Sequence, residues 1–253
     1  MKFVGIIPAR YASSRFEGKP LADICGKPMV QRVYEQVCKA LDEVYVATDD
    51  VRIYEAVIAF GGKVIMTGSH HKSGTDRCYE AYCLSESQAD VIVNIQGDEP
   101  FVQPAQINTV KACFDDETTE IATLARPFPS DTDFEHLFDS NVVKVVLSEV
   151  THKALYFSRS VVPYMRGEHH LEWLKKNTYY AHVGMYAYKA DVLRAITQLP
   201  QSNLEKVESL EQLRWLENGY QIKVGLTHEQ TIGIDTPADL EAAIAWYKSQ
   251  PHK

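Results

Sequence analysis

The chain contains no CxxC pair, no GxGxxG fingerprint, and no apolar run approaching the ~20 residues that a membrane helix needs. It also lacks a P-loop: Gly18-Lys19 is followed by Pro20 instead of Ser or Thr, and no earlier glycine stands at the required spacing. These gaps disfavour a dinucleotide-binding dehydrogenase, a P-loop phosphotransferase and a membrane span. Basic charge is the minority, with 26 Lys and Arg against 34 Asp and Glu, for a net charge of −8. A general nucleic-acid surface would show itself as a basic face, so nucleic acid is not an expected partner. A small anionic ligand is still compatible, because charges beyond ~8 Å are screened at physiological salt and the cations touching the ligand dominate. The cysteines, Cys25, Cys38, Cys78, Cys83 and Cys113, are few and odd in number, which argues against full pairing in an oxidising compartment. They read as reduced, mostly core thiols. The first residues enter Phe3-Val4-Gly5-Ile6-Ile7 without a basic lead, and a cytoplasmic protein with no membrane partner is expected.

With 253 residues and 45% hydrophobic content, the chain can bury a full core. The natural expectation is one domain, 1–253, with a sub-lobe. Apolar runs at Phe3–Ala9, Glu43–Thr48, Lys63–Met66 and Asp90–Gln96 alternate with helical periodicity, the βαβ pattern of a parallel sheet covered on both faces. The first helix opens at Pro28 and carries Val30, Val33, Tyr34, Val37, Cys38 and Leu41 along one stripe. From about Ile121 closely spaced strands follow, at Val142–Leu147, Ala154–Ser158 and Tyr179–Tyr188, suggesting a mixed sheet and a strand-rich sub-lobe at about 127–218. A single helix is predicted from Ser202, capped by Ser202 with Glu205, to Asn218-Gly219. The last helix starts at Pro237.

The segment from Arg10 to Lys27 is far longer than the ~2–6 residues of ordinary strand-to-helix connections, and long loops of this kind tend to be functional. It carries Arg10, Arg15 and Lys19 with Ser13 and Gly18, a composition suited to phosphate; a solvated basic loop is the alternative. Asp98, in Gln96-Gly97-Asp98-Glu99-Pro100, directly follows an apolar strand, and ligands of open α/β sheets bind at that edge. In Gly233-Ile234-Asp235-Thr236-Pro237-Ala238-Asp239, the cap, first and third helical positions are already taken by Thr236, Pro237 and Asp239. Asp235 is thereby left for another task. Two carboxylates with phosphate oxygens suit a hard cation such as Mg²⁺. His70-His71-Lys72-Ser73-Gly74-Thr75-Asp76-Arg77 is a polar loop running into a helix whose start is marked by Ser73 and Asp76; its backbone could read a base edge, or it is simply a capped helix. Its His70-His71 pair reads as surface decoration. In Tyr179–Tyr188 the strand period puts Tyr180, His182, Gly184, Tyr186 and Tyr188 on one face, either a platform for a sugar or a core tyrosine ladder. Helical spacing puts Glu211 beside Leu204, Val207 and Trp215, where a carboxylate needs a partner or ligand, and Gln212 adds an amide.

These segments resemble the 3-deoxy-D-manno-octulosonate cytidylyltransferases, or CMP-Kdo synthetases, over essentially the whole length. The resemblance is carried by Ile6-Ile7-Pro8-Ala9-Arg10-Tyr11-Ala12-Ser13-Ser14-Arg15, Gly18-Lys19-Pro20-Leu21, Ser73-Gly74-Thr75-Asp76-Arg77, Asn94-Ile95-Gln96-Gly97-Asp98-Glu99-Pro100, His182-Val183-Gly184-Met185-Tyr186, Leu210-Glu211-Gln212-Leu213-Arg214 and Gly233-Ile234-Asp235-Thr236-Pro237. Glu17 departs from the proline usual in this family and weakens the local positive field. The resemblance implies a Rossmann-like nucleotide-diphospho-sugar transferase fold, CTP and Kdo as substrates, Mg²⁺ as cofactor, lipopolysaccharide biosynthesis as the context, and a homodimer. It implies Lys19, Asp98, Asp235 and Arg10 as catalytic residues, with Asp98 and Asp235 holding the metal. Nucleotide would be bound by Arg10, Ser13, Arg15, Lys19, Ser73, Gly74, Thr75, Arg77 and Gln96. The sugar would meet Gln96, Arg159, His182, Tyr186, Glu211 and Gln212. Another sugar nucleotidyltransferase, such as a CMP-sialic acid synthetase, is the nearest rival; a non-enzymatic nucleotide-binding regulator is a more distant one.

Overall fold

A computed structural model describes residues 1–131, 134–229 and 232–250. The chain divides into two compact units, one formed by Met1–Ile107 with Gln230–Lys253, the other by Asn108–Glu229.

In the first unit, strands β1 (Phe3–Ala9), β2 (Val44–Thr48), β3 (Val64–Met66) and β4 (Val91–Asn94) pair in the order β3-β2-β1-β4, all parallel. Helices α1 (Met29–Val37), α2 (Val51–Ala59) and α3 (Gly74–Leu84) connect them and pack on the strands. Met29, Val30, Val33, Val37 and Leu41 are buried beneath α1, each such side chain contributing roughly 1.5–3 kcal/mol when fully buried. Cys38 leaves the expected stripe: it caps the helix and is exposed. The core-thiol expectation also fails for Cys83, which is exposed, and Cys25, which is half-buried; only Cys78 and Cys113 are buried, and all five are free. Because the strands are parallel, their carboxyl ends lie on one edge, and the loops after β1, β3 and β4 emerge there together.

In the second unit, β5 (Ile121–Pro127) pairs antiparallel with β8 (Tyr180–Lys189) and parallel with β9 (Ile222–Leu226); β6 (Lys144–Leu147) pairs with β7 (Ala154–Ser158) and with β8. Its helices are the short α5 (Phe134–Phe138) and α6 (Trp173–Lys176), then α7 (Ala190–Ile196), α8 (Asn203–Glu208) and α9 (Gln212–Glu217). Helix α4 (Pro104–Ala112) runs across the division in sequence, and α10 (Pro237–Ser249) closes the first unit.

The single helix expected from Ser202 to Asn218 is two helices. Ser202 and Glu205 form the capping box, but Ser209 adopts a left-handed conformation (φ 53°) and stops α8 after Glu208. The helical spacing across the break therefore does not hold: Val207 is 74% exposed while Trp215 is buried. The strand period also fails in β8, where Thr123 faces Tyr186 and the next residue, Leu124, faces Val183, so Gly184 and Met185 bulge out of register.

Candidate active site

The carboxyl edge of the parallel sheet opens into a cavity of about 260 Å³ lined by Pro8 and Ala9 at the end of β1, Arg10, Ser13, Arg15, Lys19 and Pro20 after it, His71 to Gly74 and Arg77 after β3, Gln96 to Asp98 after β4, and Asp235 before α10. All of these belong to the first unit. Thr75 lies one residue into α3, buried, and is not part of the lining.

Backbone hydrogen bonds fix the parts. Gly18 N–H donates to Tyr11 C=O at 2.9 Å, closing the loop, and Gly18 sits at φ 69°, where a side chain would be strained and would meet the Tyr11 ring. Gly97 is required for a different reason: a Cβ there would lie 2.7 Å from the carbonyl oxygen of Pro8. Thr236 and Asp239 form a full capping box on α10, as the sequence predicts, and Asp239 also accepts from Asp235 N–H at 3.1 Å. The Asp235 carboxylate is thus aimed away from its helix. Ile234 N–H donates to Asp98 C=O at 3.0 Å and clamps the two acid-bearing segments together.

At the centre, Lys19 Nζ donates to Asp98 Oδ2 at 2.7 Å, to Ile234 C=O at 2.8 Å and to Asp235 Oδ1 at 3.3 Å. Arg15 donates to Asp235 Oδ2 at 3.1 Å. Residues separated by more than 200 positions, Lys19 and Asp235, are therefore partners, and both carboxylates converge on one cationic position. That convergence fits a divalent cation, which commonly takes one or two carboxylates and completes its shell with substrate phosphate oxygens. Next to Asp98, burial and the Asp98 charge push Glu99 up to about 7.

On the opposite wall, Ser73 caps α3 by accepting from Asp76 N–H at 3.1 Å. Arg77 is buried; it donates to Thr67 Oγ1 at 2.6 Å and pairs with Asp49 at 3.0 Å. His71 is not surface decoration. Its ring is largely buried against Glu80, which also accepts from Gly68 N–H at 2.8 Å. Burial pushes Glu80 up, but the hydrogen bonds from His71 and Gly68 outweigh it and hold the carboxyl below its usual range. The loop 67–73 is thereby braced from two sides. The packing of His71 is not legible locally, because its partner Glu80 stands nine residues on.

The second unit holds the remaining candidates. Thr123 Oγ1 donates to Met185 C=O at 2.8 Å, so its contact with His182 Nε2 at 2.9 Å is donated by the ring, leaving Nδ1 as an acceptor. Burial pushes His182 down to about 3, so the ring is neutral. The rings of His182 and Tyr186 lie 5.3 Å apart, and Tyr186 and Tyr188 both meet Trp215 edge-on. Tyr186 is held well above the usual tyrosine range, first by burial and then by the charge of Glu211. Tyr186 Oη and Trp215 Nε1 are buried without a hydrogen-bond partner among the described residues. The tyrosine-ladder alternative describes the Tyr186–Tyr188 end of β8. Glu211 is paired with Arg214 at 3.1 Å, and Arg214 with Glu205 at 3.0 Å; Gln212 is buried beside them in α9. Arg159 donates to the carbonyls of Glu208 at 2.7 Å and Ser140 at 2.9 Å, tying β7 to the end of α8.

The chain is a nucleotidyltransferase: the cytidylyltransferase family model matches residues 4–223. A protein of Parabacteroides distasonis described as 3-deoxy-manno-octulosonate cytidylyltransferase is 65% identical, covering 97% of this chain and 98% of its own. One of the same description from Phocaeicola vulgatus is 62% identical over 99% of each chain. Among solved structures, a CMP:2-keto-3-deoxy-manno-octonic acid synthetase complexed with CTP superimposes with a TM-score of 0.89 at 44% identity, covering 98% of this chain and 99% of that one. The chain belongs to the 3-deoxy-manno-octulosonate cytidylyltransferase family. No helix among the described residues is long and apolar enough to cross a membrane.

Proposed function

We propose that the protein transfers CMP from CTP to 3-deoxy-D-manno-octulosonate. The anomeric hydroxyl oxygen of the sugar attacks the α-phosphorus, the bond from that phosphorus to the bridging oxygen of the β-phosphate breaks, and pyrophosphate leaves. The hydroxyl proton passes to solvent. The observation that carries this reading is the meeting of Lys19, Asp98 and Asp235 at one end of a cavity whose other wall is a capped, arginine-braced loop.

Catalysis in this reading is alignment and charge neutralisation. Arg10, Arg15 and Lys19 take the phosphate oxygens, each charge-assisted hydrogen bond contributing roughly 1.5–3 kcal/mol. Ser13 supplies a hydroxyl from the same loop. Ser73, Gly74, Arg77 and Gln96 surround the base, with Thr75 buried behind them. Asp98 and Asp235 hold Mg²⁺, which when bound withdraws charge from the α-phosphate. His182, Tyr186, Glu211, Gln212 and Arg159 of the second unit serve the sugar side. In that set the neutral His182 ring accepts from a sugar hydroxyl through Nδ1, and the Tyr186 hydroxyl supplies a donor. The chain works as one nucleotidyltransferase domain in the cytoplasm, with the strand-rich segment at about 127–218 providing the sugar contacts and a homodimer contact. The exposed Tyr164, 75% accessible, and Phe138, 45% accessible, beside Trp173 support the latter. The product is an activated Kdo for lipopolysaccharide assembly. Pyrophosphate release measured with CTP, Mg²⁺ and a panel of acidic and neutral sugars tests the reading: release is expected with Kdo, and release with sialic acid instead would assign another substrate. Light scattering tests the dimer.

A further inference from the structure

Asp98 and Asp235 are held together without help from Lys19. The backbone bond from Ile234 N–H to Asp98 C=O joins their segments, and the bond from Asp235 N–H to the capping Asp239 fixes the Asp235 backbone. Lys19 adds an ammonium between two carboxylates that are already placed. Its own backbone is equally fixed, by the Gly18–Tyr11 closure and the buried Pro20 that follows, while its side chain, 16% exposed, ends at the cavity in an ammonium with three rotatable donors. Arg15 neutralises the second oxygen of Asp235. The site therefore balances its own charge internally, two carboxylates against an ammonium and a guanidinium.

We propose that the Lys19 ammonium is the resident counter-ion of the Asp98–Asp235 pair, exchanged for a divalent cation when the nucleotide takes Lys19 onto its phosphates. The proposal rests on the reading that these two carboxylates hold a metal. A divalent cation arriving alone must displace an ammonium bonded to both acids and push it into a cavity with no new anion to receive it. Phosphates arriving alone must pull Lys19 and Arg15 from their carboxylates and leave two bare anions facing a third. Arriving together, each supplies what the other removes. Cation and nucleotide consequently bind with positive coupling, and by linkage each strengthens the other to the same extent. The exchange also makes a cation without nucleotide a poor occupant of the site.

The experiment is Mn²⁺ binding to the full chain without nucleotide, read by the loss of free Mn²⁺ signal in electron paramagnetic resonance. Lys19→Met removes the competing ammonium and keeps the stem; losing its charge-assisted bonds should tighten Mn²⁺ binding by about tenfold or more. Arg10→Met removes an equal charge from the same cavity without touching either carboxylate, and should tighten binding by less than about threefold at physiological salt. Arg15→Met, which frees one oxygen of Asp235, should fall between them and serves if Lys19→Met does not fold. Asp98→Asn should abolish binding. If Lys19→Met and Arg15→Met bind Mn²⁺ no more tightly than the parent, or no more tightly than Arg10→Met, the exchange is wrong although the metal site stands. If the parent and every variant fail to bind Mn²⁺ even with CTP present beyond what CTP alone binds, the metal reading fails and the exchange with it.

Discussion

Gly97→Ala is the smallest change that should damage this site. The added methyl would stand 2.7 Å from the Pro8 carbonyl oxygen and 3.6 Å from Ile7 Cγ2, the first inside the 3.0 Å that real Cβ atoms essentially never cross. Neither neighbour yields cheaply. Pro8 is held in β1 opposite Ala47, and Gly97 follows β4, whose strand pairs with β1 from Phe3 to Ile6. Relief has to come from spreading the two strand ends, at an overpacking cost of about 1–3 kcal/mol. Those ends carry Arg10 on one side and Gln96 and Asp98 on the other, so the same spreading moves groups from both sides of the cavity. A misplacement of about 1 Å can cost 10²-fold in rate, and kcat/KM for CTP should fall roughly 10- to 100-fold. Urea unfolding and initial-rate pyrophosphate assays measure the two effects on one preparation. A variant within about 0.5 kcal/mol of the parent and with unchanged kcat/KM would refute the claim that strand spacing positions the acids.

Other substitutions probe single contacts. The Arg52 guanidinium lies 3.3 Å from the centroid of the Tyr11 ring and is held by Asp50 at 2.6 Å, so it steadies the phosphate loop from outside; Arg52→Ala should raise KM for CTP by about two- to fivefold with kcat unchanged, as expected of an exposed cation–π contact. Asp98→Asn should keep the fold by circular dichroism yet lower kcat by orders of magnitude, and near-normal turnover would remove Asp98 from the metal role. Arg15→Ala should weaken CTP binding by calorimetry; an unchanged dissociation constant would take it out of the phosphate site. His182 sets a pH dependence of stability: burial pushes it from 6.5 down to about 3, so between those values the unfolded chain binds a proton that the folded chain refuses, and stability falls on acidification. Between pH 7 and pH 5 the parent should lose about 2 kcal/mol more in urea unfolding than His182→Gln, and equal losses would contradict a neutral buried ring.

Much of the cavity lining in the first unit was legible because its signals are local. The long loop after β1, an acid at the end of an apolar strand and a helix cap already filled by Thr236 and Asp239 can each be read within a dozen residues. What escaped depends on tertiary partners or backbone irregularities. His71 looks like a surface histidine until Glu80 is brought against it. The helix from Ser202 looks continuous because its apolar spacing persists past Ser209, and only that residue's left-handed φ ends it. The period of two in β8 misled because it runs straight through Gly184, a residue type that often marks a bulge within a strand and does so here. The Arg159 guanidinium also donates to three backbone carbonyls, those of Glu208, Ser140 and Ser209, partners too distant in sequence for any local pattern to show.

The most direct test is pyrophosphate release by the full chain with CTP and Mg²⁺, comparing Kdo, sialic acid and no sugar. The account predicts release that depends on Kdo and is lost in both Asp98→Asn and Asp235→Asn. No release with Kdo, or undiminished release from either variant, would contradict it.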